Sequence, residues 1–196
     1  MAEADRTRWN ARYRALAPAD VAVPSPFLIS LADRLPQPGA NGERPRALDV
    51  AGGAGANAIW LAGRGLEVTL ADISPAALEL ARGAAAAAGE QLRLLEIDLE
   101  EAPFPAGPFA LIVSIAFLCR PLFAVFPAAL APGGLLVFSQ PTRRNLERHP
   151  HPSARFLLEE GELPHLVRGL EIVLCEEGWF SGRHEARLLA RKPDAG

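Results

Sequence analysis

With 196 residues, 49% of them hydrophobic and 22% charged, the chain is long enough to bury about 70% of its unfolded surface, which excludes wholesale disorder and any need for a disulfide or metal staple. A formal net charge of −3 supplies no overall positive field, which argues against nucleic acid or an acidic membrane as a partner. Cys119 and Cys175 stand far apart in apolar surroundings. They form neither a disulfide framework nor a metal cluster and suit a reducing compartment. The opening residues are polar, without an apolar signal core, and no apolar run approaches the roughly 20 residues of a membrane span, so a cytoplasmic location is expected.

The first 40 residues predict two helices, 5–16 and 26–35, followed by a Gly/Pro-rich connector over 36–45. Residues 47–51 read as a short apolar strand, a glycine-rich turn follows, and 57–64 read as a helix with Gly65 as its stop. Residues 66–73 form the second predicted strand. Ser74 and Pro75 then supply an N-cap and a first-turn proline for a helix over 76–89. A third strand, 91–98, leads into a proline-punctuated loop. Residues 109–118 are apolar on both faces, as a central parallel strand requires.

A helix is expected over 121–131, shortened or kinked by Pro127. The run 132–134 then turns into a buried strand at 135–140. Beyond lie a polar loop over 141–153, a helical patch over 156–168, a strand over 170–177, a turn at Ser181 and Gly182, and a last strand over 185–192. Strand–helix alternation across 46–140 predicts a parallel sheet with helices on both faces. The closing two strands are joined by too few residues for a parallel crossover and are therefore expected to be antiparallel.

The most informative segment is the turn between the first strand and helix, where Ala51, Gly52, Gly53 and Gly55 precede Asn57. Glycines here allow a sharp bend and close approach of a ligand to the backbone, at the carboxyl end of a parallel strand where such sheets bind ligands. Taken alone, residues 53–58 also fit the dinucleotide pattern, with Asp72 about 20 residues on. Too little chain follows the sheet for a separate substrate domain, and the antiparallel closing pair is a second mark against a nicotinamide enzyme.

These features resemble the class I S-adenosylmethionine-dependent methyltransferases, over nearly the whole chain. Asp49 leads into the glycine loop as in that family's first motif, with Ala51 in place of its first glycine. Asp72 matches the acid after the second strand, Asp98 the acid after the third, and residues 130–138 the turn into the fifth strand. Ala110 stands where many members carry an acid at the fourth strand. The opening Trp9, Arg12 and Tyr13 and the stretch 153–163 are similar to small tellurite-resistance-type methyltransferases.

The resemblance implies an α/β, Rossmann-like fold, with a mostly parallel seven-stranded sheet and an antiparallel last strand. It implies one domain, 1–196, divided into an N-terminal helical lid (1–40), a cofactor-binding core (46–140) and an acceptor-side segment (141–196). The implied cofactor is S-adenosylmethionine. Asp49, Gly53 and Gly55 would hold its methionine end, Asp72 its ribose, and Asp98 with Leu99 its adenine, with Ala51, Gly52, Asn57 and Ile73 also among the cofactor-binding residues. Ser114 and Phe117 would lie beneath the sulfonium, with Trp9, Arg12 and Tyr13 in a lid.

Methyl transfer from a sulfonium needs alignment and dryness more than a catalytic constellation. No Asn/Asp-Pro-Pro-aromatic run follows the fourth strand, and Cys119 lacks a preceding proline, which disfavours DNA and glutamine as acceptors. The loop after the fifth strand carries Thr142, Arg143, Arg144, Arg148, His149 and His151. Arg143 could meet an anionic acceptor and His149 could take a proton. No metal site is expected, and His165 and His184 read as surface residues. The expectation is methyl transfer to a small-molecule thiol, metalloid oxyanion or carboxylate, by a monomer or homodimer. A non-catalytic cofactor-binding sensor or scaffold is the alternative.

Overall fold

The computed structural model describes residues 2–16 and 23–194; residues 17–22, inside the expected lid, lie outside the described residues. Seven strands form one sheet in the order β3-β2-β1-β4-β5-β7-β6: β1 (Arg46–Val50), β2 (Glu67–Asp72), β3 (Arg93–Glu96), β4 (Phe109–Ile115), β5 (Leu130–Pro141), β6 (Glu171–Phe180) and β7 (Arg183–Arg191). The pairs β1/β2, β2/β3 and β4/β5 are parallel, and β7 runs antiparallel to both β5 and β6. This is the expected mostly parallel sheet with an antiparallel final strand. The chain divides into two compact units, Met1–Pro105 and Ala106–Gly196.

In the first unit, α3 (Ala56–Ala62) and α4 (Pro75–Ala87) pack on the strands. Their buried faces (Ala58, Leu61, Ala62 and Ala77, Leu78, Ala81, Ala85) lie with Leu48, Val50, Val68 and Leu70 in one core. Ser74 caps α4 as expected, its hydroxyl accepting from the Ala77 N–H at 3.2 Å. The N-terminal helix, α1 (Ala2–Arg14), and the short α2 (Pro26–Ser30) complete this unit. The side chain of Asn10 in α1 was not anticipated as a contact. Its Oδ1 accepts from the Ser74 hydroxyl at 2.7 Å and the Ala76 N–H at 3.3 Å, so α1 helps satisfy the exposed N–H groups that begin α4.

In the second unit, Phe138 of β5 meets Phe123 edge-on at 4.9 Å, and Phe123 meets Phe126 at 5.6 Å. Two expectations fail here. The helix expected over 121–131 is a 3-10 turn (Arg120–Ala124) and a single turn, α5 (Phe126–Ala129); Pro127 near its start and extended backbone at Leu130 end it, and β5 begins five residues early. The helical patch expected over 156–168 keeps only a 3-10 turn (Ala154–Phe156) and α6 (Leu163–Leu166). Gly161 at φ +70° breaks the run, and Pro164 lacks the N–H that a longer helix needs. The strands β6 and β7 are joined by Ser181 and Gly182, both at positive φ, 48° and 86°, which is the twist a two-residue hairpin turn demands. Among the described residues β6 pairs only with β7, and its Ile172 and Val173 are exposed.

Candidate functional site

The glycine turn leaves β1 with its backbone folded back on the first unit. Gly53 and Gly55 adopt left-handed φ values of 57° and 85°, where a side chain would be strained. Gly52 has a different reason to be glycine. A β-carbon there would sit 2.5 Å from Asp49 Oδ2 and from Leu70 Cδ1, so the absent side chain is what leaves room beside the carboxylate. Ala51, at the position where the resemblance calls for glycine, also has a left-handed φ of 52°.

Two acids lie under this turn. Asp49, 1% exposed, receives a hydrogen bond from the Ala58 N–H of α3, while its Oδ2 is buried without a partner. Burial, and secondarily the charge of Asp72, push its carboxyl up to about 7. Asp72, 6% exposed at the end of β2, accepts from the Gly53 N–H at 2.9 Å and the Ser74 N–H at 2.8 Å. Burial raises its pKa while these N–H groups oppose the rise. Asp98 is half-buried, its Oδ1 accepting from the Glu100 N–H at 3.0 Å, and Leu99 is buried. Ile73 is half-buried.

Of the expected lid residues, α1 brings Tyr13 onto the loop. A β-carbon at Gly53 would collide with the Tyr13 hydroxyl. Burial, with the charge of Asp72 second, pushes that phenol up to about 12. Trp9 stacks on Tyr13 with ring centroids 6.0 Å apart, and the Arg12 guanidinium lies 5.2 Å from the Trp9 ring. Asn57 is engaged elsewhere, since its Oδ1 accepts from the Ser25 N–H at 2.9 Å. That bond pins the approach to α2, a structural role that the sequence pattern did not distinguish from ligand contact.

In the second unit, Ser114 is buried at the end of β4 with its hydroxyl 3.4 Å from the Phe117 carbonyl, and Phe117 is half-buried. Arg143 pairs with Glu159 at 2.7 Å, Arg144 with Glu147 at 3.2 Å, and the Arg148 guanidinium stacks 3.8 Å from the Trp179 ring. His149 Nε2 lies 2.7 Å from the Gly182 carbonyl. A carbonyl only accepts, so Nε2 carries the proton and Nδ1 is the basic nitrogen. His151 is exposed.

The expected surface position of His184 is wrong. It is 4% exposed, with Nδ1 2.7 Å from the Thr142 hydroxyl and its backbone N–H donating to Asn145 Oδ1 at 3.2 Å. Thr142, named in the loop after the fifth strand, is itself fully buried and engaged in this bond. His184 sits in β7, directly after the hairpin turn, and the alternation of that strand was the overlooked signal: Ala186 and Leu188 share its inward face. The described residues contain no group of three His, Cys, Asp or Glu side chains placed to hold a metal ion, and no helix among them is long and apolar enough to cross a membrane.

The geometry therefore offers a glycine cradle beneath Tyr13 and two buried acids, one with an orphaned oxygen. A cationic nitrogen fits that oxygen, and a diol fits the neighbouring carboxylate. Against known proteins, the methyltransferase domain family matches residues 47–134. A demethylmenaquinone methyltransferase of Thermus thermophilus is 42% identical across 57% of this chain, and the chain spans 50% of that relative's length. A structure solved for the conversion of a disulfide bond into a thioacetal group during echinomycin biosynthesis superimposes with a TM-score of 0.74 at 20% identity, covering 97% of this chain and 93% of the other. A TehB-like S-adenosylmethionine-dependent methyltransferase from Corynebacterium glutamicum has a TM-score of 0.66 at 21% identity, covering 97% and 99%.

Proposed function

We propose that this chain is a class I S-adenosylmethionine-dependent methyltransferase that transfers the cofactor's methyl group to a small-molecule acceptor, acting in the cytoplasm as one domain of residues 1–196. The observation that carries the proposal is the orphaned Oδ2 of Asp49 beside Gly52, next to an Asp72 whose carboxylate is held by the Gly53 and Ser74 N–H groups. When bound, the cofactor supplies a methyl group on a positively charged sulfur, ready for in-line displacement.

The residues of the chain then bind, orient and exclude water. Asp49 would hold the ammonium of the methionine end over the backbone of Gly53 and Gly55. Asp72 would accept the ribose hydroxyls, and Asp98 with Leu99 would flank the adenine. Tyr13, stacked on Trp9, covers the loop, and such cover strengthens electrostatic contacts by keeping water out. Ser114 and Phe117 would lie near the sulfonium, as the family resemblance implies. For an acceptor bearing a proton, His149 Nδ1 is the candidate base and Arg143 the candidate anion contact, although its pairing with Glu159 half-neutralises it.

An acceptor with a thiol, metalloid oxyanion or carboxylate suits these groups, and no nucleic acid is required. The test is calorimetric titration with S-adenosylmethionine, S-adenosylhomocysteine and NADH, on wild type and Asp72→Ala. A screen of thiols, metalloid oxyanions and carboxylates follows, read by S-adenosylhomocysteine release. Micromolar binding of the first two, weakened by the substitution, and turnover of one acceptor class are expected. Binding without turnover in any class would favour a sensor or scaffold. Saturable NADH binding alone would overturn the cofactor assignment.

A further inference from the structure

We infer that Asp49 carries a proton in the free protein and gives it up when the cofactor's ammonium group docks, so that cofactor binding is a proton exchange. This rests on the cofactor assignment above.

The two acids under the glycine turn are unequal. Asp72 has both carboxylate oxygens committed to main-chain donors, Gly53 and Ser74, which favour the ionised form. Asp49 has one N–H, that of Ala58, and an Oδ2 with no partner in a site that is closed to solvent. Of the charged and titratable groups packed against it, Asp72 comes from β2 and Tyr13 from α1, with Arg12 beside Tyr13 on the same helix. Asn10 and Ser74, which join α1 to α4, are neutral. The group that acts on Asp49 most directly is therefore another acid. Two buried acids that repel one another are resolved by keeping one neutral, and Asp49, with one N–H donor and an unpartnered Oδ2, is that one. Its carboxyl, pushed up to about 7, is half protonated near neutrality and largely protonated by about pH 6.

The exchange balances simply. The carboxylic acid and an incoming ammonium give a carboxylate–ammonium pair, and one proton leaves to solvent. Above about pH 8 the free α-amino group is itself neutral, so docking must take a proton up instead. The proton count accordingly changes sign between about pH 7 and 8. Affinity peaks there and falls about tenfold per pH unit on either side.

Calorimetry in pairs of buffers with different ionisation enthalpies measures this count. At pH 6.0, release of about 0.9 proton is expected with S-adenosylmethionine, and the same with S-adenosylhomocysteine, which keeps the ammonium but lacks the sulfonium charge. The probe 5′-methylthioadenosine, lacking the amino-acid end, should bind with no release. Asp49→Asn should abolish the release, and Asp72→Asn should move the transition below pH 7. Binding of S-adenosylmethionine without proton release at pH 6.0 overturns the inference, as does release on binding the methylthio nucleoside. A carbon-13 carboxyl titration of the free protein separates the two possible failures. A midpoint near 7 without cofactor binding overturns the cofactor assignment, whereas a midpoint below 5 overturns the proton on Asp49.

Discussion

At residue scale, Ala51 holds a left-handed φ of 52°, a conformation that costs a non-glycine L-residue roughly 1–2 kcal/mol. Ala51→Gly should therefore be neutral to stabilising, by at most about 1 kcal/mol once glycine's extra unfolded-state entropy is counted. Urea denaturation would show a higher midpoint with an unchanged slope. A clear loss of stability would mean that the alanine methyl contributes packing that outweighs the strain.

Asp49 has a larger effect on stability. Its carboxyl moves from an ordinary 3.8 to about 7 on folding, so between these values the folded state binds more protons than the unfolded state. Stability falls as pH rises across that window and levels off above it. Asp49→Asn removes the penalty, and its advantage over wild type should grow from pH 4 to pH 7 to a ceiling of about 4 kcal/mol. Paired thermal melts across that range would read it, and a pH-independent difference would contradict it. Thr142 tests another buried polar pair. Thr142→Val keeps the shape but leaves His184 Nδ1 without its 2.7 Å partner, and should cost about 1–3 kcal/mol.

At the scale of elements, side chains that attach α1 include Asn10 to the start of α4, Arg6 to Glu96, and Tyr13 to the glycine loop. Asn10→Ala removes an acceptor shared by two donors and should cost about 1 kcal/mol. Amide exchange should quicken in α1 and the first turn of α4 while the β6–β7 hairpin is unchanged. The parallel strands, the Ser74 cap and the two-residue hairpin were legible because each has a local cause: apolar runs of strand length, an N-cap hydroxyl before proline, and a serine–glycine turn. The segments 121–131 and 156–168 were misread because apolar composition there outweighed the breakers Pro127, Gly161 and Pro164. In the site, the acids and glycines could be found from their order along the chain. The roles of Asn10 and Asn57 could not, because an amide's partner is fixed by tertiary position and these contacts span 64 to 66 and 32 residues.

At the scale of the whole molecule, the match to the methyltransferase domain family stops at residue 134, whereas the sheet continues through β7. Ligand linkage gives a global check on the cofactor assignment. S-adenosylmethionine at a fixed concentration, a hundredfold above its Kd at about pH 7.5, should stabilise the fold by about 2.7 kcal/mol there, with the thermal shift shrinking toward pH 6 as the Kd rises. A shift of constant size would separate cofactor binding from the titration of Asp49.

The strand order has a further consequence, for biosynthesis. A ribosome makes β5, then β6, and only then the strand that belongs between them, so neither edge is covered until residues 183–191 have emerged. During that interval the nascent chain displays the open edge of β5 and an unpaired β6 carrying Ile172 and Val173, the kind of surface that chaperones shield and neighbouring chains capture. A chain stopped at residue 182 should accumulate in the insoluble fraction. Slow synthesis of the segment that carries β6 and β7 would keep the β5 edge open for longer without altering a single residue.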